Sequence, residues 1–312
     1  MYDIIVVGGG PAGLTAALYS ARAGKKVLVL EGENTGGQIN LAPQVDNYPG
    51  LPSMSGADFG QTLTRQAMEQ GAEIIEDQVL SLRPRGSQFE VTTSCECYSS
   101  TAVILATGVT HRKLNLPGED DLVGAGISYC AVCDGAFYQN RPVAVVGGGD
   151  TALQDALFLS ERCSHVTLIH RRDLFRGTQR LVDQLRERDN VTFLMKHTVE
   201  ALHSGPDGLT GLTLLDQKSR EPVELTVDGL FVAVGQKSQN GAFSTLLMTD
   251  DHGYLLANEN CAASLSGVFA AGDCRAKEVR QLATAVGDGA TAALAACKYV
   301  DSWRTKTSQS QD

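Results

Sequence analysis

Asp3-Ile4-Ile5-Val6-Val7-Gly8-Gly9-Gly10-Pro11-Ala12-Gly13 is an apolar run that breaks into glycine. The run reads as a buried parallel strand. Residues 14–23 then carry Ala, Leu and Tyr at helical spacing, and Val27-Leu28-Val29-Leu30 is a second strand closed by Glu31. This is a βαβ start with the glycines in the first strand–helix turn. A phosphate needs backbone N–H donors and a helix N-terminus at close range, and side chains block that approach. Gly8, Gly10 and Gly13 fit the G-x-G-x-x-G pattern, with Pro11 and Ala12 inside it.

The same grammar returns downstream. Pro142-Val143-Ala144-Val145-Val146 reads as a strand, and Gly147-Gly148-Gly149-Asp150-Thr151-Ala152 as its turn in the G-x-G-x-x-A variant. A helix over 153–159 and a strand over 165–169 follow. Gly8 to Glu31 spans 23 positions, as does Gly147 to His170, and the two copies lie 139 apart. A matching offset in both copies marks a duplicated nucleotide-binding unit rather than two chance turns. Each copy has a later apolar strand ending in glycine, 102–108 and 230–235. A further run, 267–271, leads into Gly272-Asp273. The fold class is therefore α/β with two Rossmann-like nucleotide-binding domains.

The residue closing the second strand of each copy selects the nucleotide. Glu31 accepts hydrogen bonds from a ribose 2′-OH, as in FAD or NAD sites. The second copy has His170-Arg171-Arg172 there, with Arg176 beyond. Arginines neutralise a 2′-phosphate and bind it bidentately. The first copy reads as an FAD site and the second as an NADPH site.

Between the copies stands Cys130-Ala131-Val132-Cys133-Asp134-Gly135. A C-x-x-C pair closes a small reversible disulfide. Beside a flavin it takes up two electrons and passes them on by thiol–disulfide exchange. Asp134 is placed to move the proton that accompanies thiolate formation. Zinc needs a second such pair, and Cys95-Glu96-Cys97 has the wrong spacing, so no metal is expected.

Composition bounds the rest. The 312 residues hold 26 Lys and Arg against 36 Asp and Glu, a formal charge of −10. An acidic chain is a poor candidate for nucleic acid, which demands a basic surface. No run reaches the roughly 18 apolar residues of a membrane span, and the early apolar stretch is broken by glycines. The expectation is a cytoplasmic protein. Residues after Trp303 are polar, and a frayed tail is expected there.

With a first glycine turn, a C-x-x-C and a second glycine turn in this order, the chain resembles the low-molecular-weight bacterial thioredoxin reductases. The resemblance runs from residue 2 to about 300. Its further carriers are Gly36-Gly37-Gln38-Ile39, Asn47-Tyr48-Pro49-Gly50, Ala106-Thr107-Gly108, Gly272-Asp273 and Arg280-Gln281. It implies a discontinuous FAD domain, 1–113 plus 245–312, with an NADPH domain, 114–244, inserted in it and carrying the dithiol. It implies a homodimer whose partner is thioredoxin or a thioredoxin-like protein. It implies that Asp273 holds the FAD ribityl chain and that Gly37, Gln38, Asn47, Thr107, Gly108, Arg280 and Gln281 line the FAD. It further implies that Cys133 is the cysteine nearer the flavin and that the inserted domain rotates on hinges near 114–117 and 239–243. The chain departs from the family after Gly235, where Gln236-Lys237-Ser238-Gln239-Asn240 stands in place of a common proline and asparagine. The rival readings are a related flavoprotein with another electron donor, a dithiol oxidase, a peroxiredoxin-reducing flavoprotein and a flavin-bearing sensor.

Overall fold

The computed structural model describes the backbone of residues 1–309 and the side chains of 1–306. The apolar runs become two separate parallel sheets, and the chain divides accordingly. One unit comprises Met1–Thr110 and Lys237–Asp312; the other is His111–Gln236.

In the first unit the strand Tyr2–Val7 lies between Val27–Glu31 and Cys97–Leu105, all parallel, with Glu73–Glu76 outside Val27–Glu31. Val7 pairs with Leu30 on one side and Leu105 on the other, so these strands end level with Gly8. Cys97–Leu105 changes partners along its length. Its first half pairs antiparallel with Gln88–Thr93, and its second half pairs parallel with Val268–Ala270. Strands buried on both faces explain the unbroken Val/Ile/Leu runs. One face packs on the helices Pro11–Arg22 and Leu282–Gln309, with Ile4, Val6, Val29 and Ile104 buried. The other face buries Ile5, Leu28, Leu105 and Phe243. Each such side chain contributes about 1.5–3 kcal/mol on burial.

The helix Gly56–Glu69 was not singled out in the sequence. Its start was nonetheless marked there: Ser55 Oγ accepts the Asp58 N–H at 3.0 Å, a side-chain N-cap. The last helix runs to Gln309 and so passes through residues expected to fray; the rest of that expectation, residues 310–312, lies outside the described residues. Arg304 pairs with Asp3 at 2.6 Å, which ties the expected tail to the start of the central strand Tyr2–Val7, and Lys25 pairs with Asp301 just before it.

The second unit repeats the plan. Its sheet orders Val191–Met195, His165–His170, Pro142–Gly147, Gly229–Ala233 and Ile127–Ser128, all parallel. The helix Asp150–Ser160 follows the glycine turn. A three-stranded antiparallel sheet, His197–Gly205, Gly208–Asp216 and Pro222–Leu225, was not foreseen.

Residues 237–244 belong with the first unit, whereas the sequence reading grouped them with the insertion. The reason is Asn240, which is 1% exposed. It accepts from Thr107 Oγ1 at 2.8 Å and donates to Gly253 O at 2.9 Å and Cys274 O at 2.8 Å. These bonds tie Asn240, within the expected hinge segment 239–243, to the first unit. In the other expected hinge segment, 114–117, the Leu114 and Leu116 N–H groups donate to the buried Glu119 carboxylate at 2.9 and 3.3 Å. The chain passes between units earlier, at 110–111 and 236–237.

Candidate nucleotide and dithiol sites

The first glycine turn is tight because the strand end leaves no room. Gly8 has φ +105, and a β-carbon on it would stand 2.3 Å from Ala106 O. A β-carbon on Gly13 would stand 1.8 Å from Gly8 O. Gly10, by contrast, faces open space, its nearest such neighbour being Gly36 O at 3.9 Å. Pro11 takes the first position of the helix Pro11–Arg22, where its missing N–H costs nothing. The remaining N–H groups of that first turn are free to face an anion.

Around this turn the fold gathers most of the residues expected in the FAD site. Glu31 Oε2 accepts the Gly9 N–H at 2.5 Å and Oε1 accepts the Glu33 N–H at 3.0 Å. Gly37 lies against Gly10: a β-carbon on Gly37 would stand 3.1 Å from Gly10 Cα. Gln38 is exposed beside it. Gly272 lies against Ala12, its β-carbon position 2.7 Å from Ala12 Cβ. That contact brings Asp273 to the same strand ends as Thr107 and Gly108. Asn47 Nδ2 donates to Gln281 Oε1 at 3.4 Å, and the Arg280 guanidinium stacks 4.1 Å over the Tyr254 ring.

Asp273 tests whether FAD fits. Its Oδ1 is buried without a hydrogen-bond partner, and Lys277 Nζ stands at 3.6 Å, an ion-pair distance only. Burial holds this carboxyl above its ordinary value, opposed by Lys277 and Arg280. A buried acceptor left open costs free energy until a donor arrives. The hydroxyls of a ribityl chain are such donors, so the residues present fit the group. Cys274 next to it is inert. It is fully buried, its Sγ is within reach of Ala271 O at 3.3 Å and Leu105 O at 3.4 Å, and burial pushes its thiol up to about 11.

The second turn repeats the first. A β-carbon on Gly147 would stand 2.4 Å from Ala233 O and 2.6 Å from Ala152 Cβ, while Gly149 faces open space. Asp150 Oδ1 accepts the Thr178 N–H at 2.7 Å, which holds its carboxyl below the usual range. Thr151 is exposed one residue on. Arg176 N–H donates to Gly148 O at 2.7 Å, lacing the arginine segment to the turn. Arg171, Arg172 and Arg176 are all exposed, and no acid closes the strand.

His170 differs from those arginines. It is 5% exposed, its ring lies against Gly148, stacks on Phe175 at 5.2 Å, and has Nε2 3.1 Å from Leu174 O. Burial, aided by Arg172 and Arg176, depresses its pKa. It packs beneath the turn, at the strand end where Arg171 and Arg172 follow.

Cys130 and Cys133 form a disulfide on the single turn Ala131–Asp134, with Cys133 exposed and Cys130 half-buried. The Asp134 carboxyl is held above its ordinary value by burial, opposed by its hydrogen bond from Ser128. Upstream, Tyr129 donates to Glu119 Oε1 at 3.0 Å and stacks on His111 at 4.9 Å. Ser128 and Glu119 were not singled out in the sequence. Nothing local marks them, since each acts through a fold contact. The other thiols are of two kinds: Cys95 and Cys97 are exposed and free, and Cys163, Cys261, Cys274 and Cys297 are buried and free.

The pyridine nucleotide-disulphide oxidoreductase family matches residues 2–289. The chain belongs to that family. Family membership makes it a flavin- and NAD(P)H-using oxidoreductase. A thioredoxin reductase of Listeria monocytogenes is 42% identical over 302 residues, covering 96% of this chain and 94% of the relative. One from Treponema pallidum is 40% identical over 301 residues, covering 96% and 97%. The crystal structure of thioredoxin reductase from Streptococcus pyogenes superposes with a TM-score of 0.94 at 35% identity, covering 97% of this chain and 99% of that one. Among the described residues, no helix is long and apolar enough to cross a membrane.

Proposed function

We propose that this oxidoreductase is a thioredoxin-disulfide reductase that binds FAD in the first unit and NADPH in the second. Its partner is thioredoxin or a thioredoxin-like protein, and it works as a cytoplasmic homodimer. The observation that carries the reading is the Cys130–Cys133 disulfide on one exposed turn, backed by Asp134. The relatives at 40–42% identity over 96% of the chain support it.

In the first unit Gly8, Gly10 and Gly13 present backbone N–H groups to the pyrophosphate. Glu31 takes the adenosine ribose and Asp273 the ribityl chain. In the second, Gly147, Gly149 and Ala152 form the matching turn, with Arg171, Arg172 and Arg176 on the 2′-phosphate. When bound, the two nucleotides supply a two-electron transfer that opens the protein disulfide.

The rest is done by the chain. Opening the S–S bond of Cys130–Cys133 consumes two electrons and two protons and leaves two thiols. Asp134, held towards its protonated form by burial, donates to and accepts from that pair. One thiolate attacks a sulfur of the partner's disulfide, forming a mixed disulfide and releasing the partner's first thiolate. The second cysteine attacks in turn, restoring Cys130–Cys133 and releasing the partner as a dithiol. The test is NADPH oxidation by the purified yellow protein with and without thioredoxin. Turnover that needs thioredoxin supports the reading; oxidation that ignores it overturns it.

A further inference from the structure

The proposed 2′-phosphate site has a second wall. Parallel register pairs Ile169 with Leu194 and His170 with Met195, so Arg171 and Lys196 are the next residues off two neighbouring strand ends. The loops are tied together there: Lys196 N–H donates to Arg172 O at 3.1 Å, and Gln217 N–H donates to Lys196 O at 2.8 Å. Lys218 follows in the turn after Gly208–Asp216, its N–H donating to Asp216 Oδ1 at 2.7 Å. Arg171, Arg172, Asp173, Lys196, Gln217 and Lys218 line an open surface depression of about 390 Å³. Four of the six are cations. The one carboxylate, Asp173, stands 3.4 Å from Lys196 Nζ and holds that lysine in place.

The backbone sets the position of Lys196. Its φ is 59°, in the left-handed region that a β-carbon disfavours. Asn115, Asn140, Arg220 and Cys261 share the conformation; at Lys196 it makes the sharp turn from Val191–Met195 into His197–Gly205 and so fixes where this lysine leaves the sheet. Four cations around one open depression suit a compact dianion. A dinucleotide lying across the strand ends brings its adenosine ribose to this point.

We propose that Lys196 and Lys218 are specificity-determining residues that complete the 2′-phosphate site begun by Arg171 and Arg172. Selection of NADPH over NADH then comes from the neighbouring strand and the antiparallel hairpin as well as from the arginine segment. This inference rests on the NADPH reading above.

The holoenzyme is titrated calorimetrically with adenosine 2′,5′-bisphosphate and with 5′-AMP, which differ only in the 2′-phosphate. The test variant is Lys196→Asn with Lys218→Gln, because asparagine tolerates left-handed backbone. Two lost charge-assisted contacts weaken the bisphosphate by about tenfold or more and leave 5′-AMP within about twofold. The NADPH KM rises in parallel while kcat at saturation and kcat/KM for NADH hold. Lys196→Arg with Lys218→Arg restores the preference. An unchanged bisphosphate affinity in the folded variant, or an equal loss for 5′-AMP, overturns the inference. A wild-type protein with no bisphosphate preference overturns the NADPH reading itself. A preference lost in Arg171→Ala with Arg172→Ala but intact in the lysine variant sinks this inference alone.

Discussion

Ser128 donates a 2.6 Å hydrogen bond to Asp134 Oδ2, and the same hydroxyl accepts the Cys130 N–H at 3.0 Å. One side chain thus ties the acid to the backbone of the dithiol. Asp134→Asn keeps an acceptor for Ser128 and removes the proton. It lowers thioredoxin turnover by about 10²–10⁴-fold, the usual effect of losing a general acid. The pH dependence has a defined sign. Burial raises this carboxyl, so its protonated form is the one the fold favours. Its contribution to stability is fully present below the unfolded value and is lost as pH rises through the raised folded value. The asparagine variant therefore gains in thermal midpoint over wild type as pH rises towards neutrality. Paired melts at acid and neutral pH check this; a gap that narrows with rising pH contradicts it.

Cys130→Ser and Cys133→Ser each abolish thioredoxin turnover and leave NADPH-dependent bleaching of the flavin band. Flavin reduction does not need the thiols, whereas output needs a complete two-electron dithiol cycle. Stopped-flow absorbance beside steady-state turnover separates the two. Near-normal turnover in either variant would remove this pair from the mechanism, and the buried Cys274 is no substitute, since its thiol has no solvent access.

Gly13→Ala leaves the protein unable to hold FAD. The new methyl meets Gly8 O at 1.8 Å, backbone that cannot yield without opening the turn. Gly149→Ala meets nothing within 4 Å in the protein itself and is tolerated by the fold. Flavin content after purification reads the first effect, and the thermal midpoint reads the second. Full flavin content in Gly13→Ala contradicts the turn assignment.

The local parts of these sites were legible in the sequence. Gly8, Gly13, Glu31, Cys130 and Cys133 declare themselves because their chemistry depends on neighbours a few positions away, or on one fixed βαβ span. Asn240 did not, because its partners Thr107 and Gly253 lie 133 and 13 residues off. Lys196 did not, because only the parallel register sets it beside Arg171. The packing of His170 was not legible for a similar reason. Its contacts with Gly148 and Phe175 arise only once the strand and the turn have folded together, and burial there lowers its pKa.

Arg171→Ala with Arg172→Ala cuts kcat/KM for NADPH by about tenfold or more and leaves NADH unchanged, since each charge-assisted contact is worth about 1.5–3 kcal/mol. Initial rates with both cofactors decide it. An unchanged cofactor ratio counts against a 2′-phosphate site at this strand end.

Residue-resolved thiol labelling tests the central claim most directly. The oxidised protein is mixed anaerobically with one equivalent of NADPH, alkylated and mapped by mass spectrometry, before and after addition of oxidised thioredoxin. The account predicts two new thiols, at Cys130 and Cys133, which disappear on adding thioredoxin as two thiols appear on the partner. NADPH-dependent thiols elsewhere, or thiols at Cys130 and Cys133 that persist in the presence of oxidised thioredoxin, would contradict it.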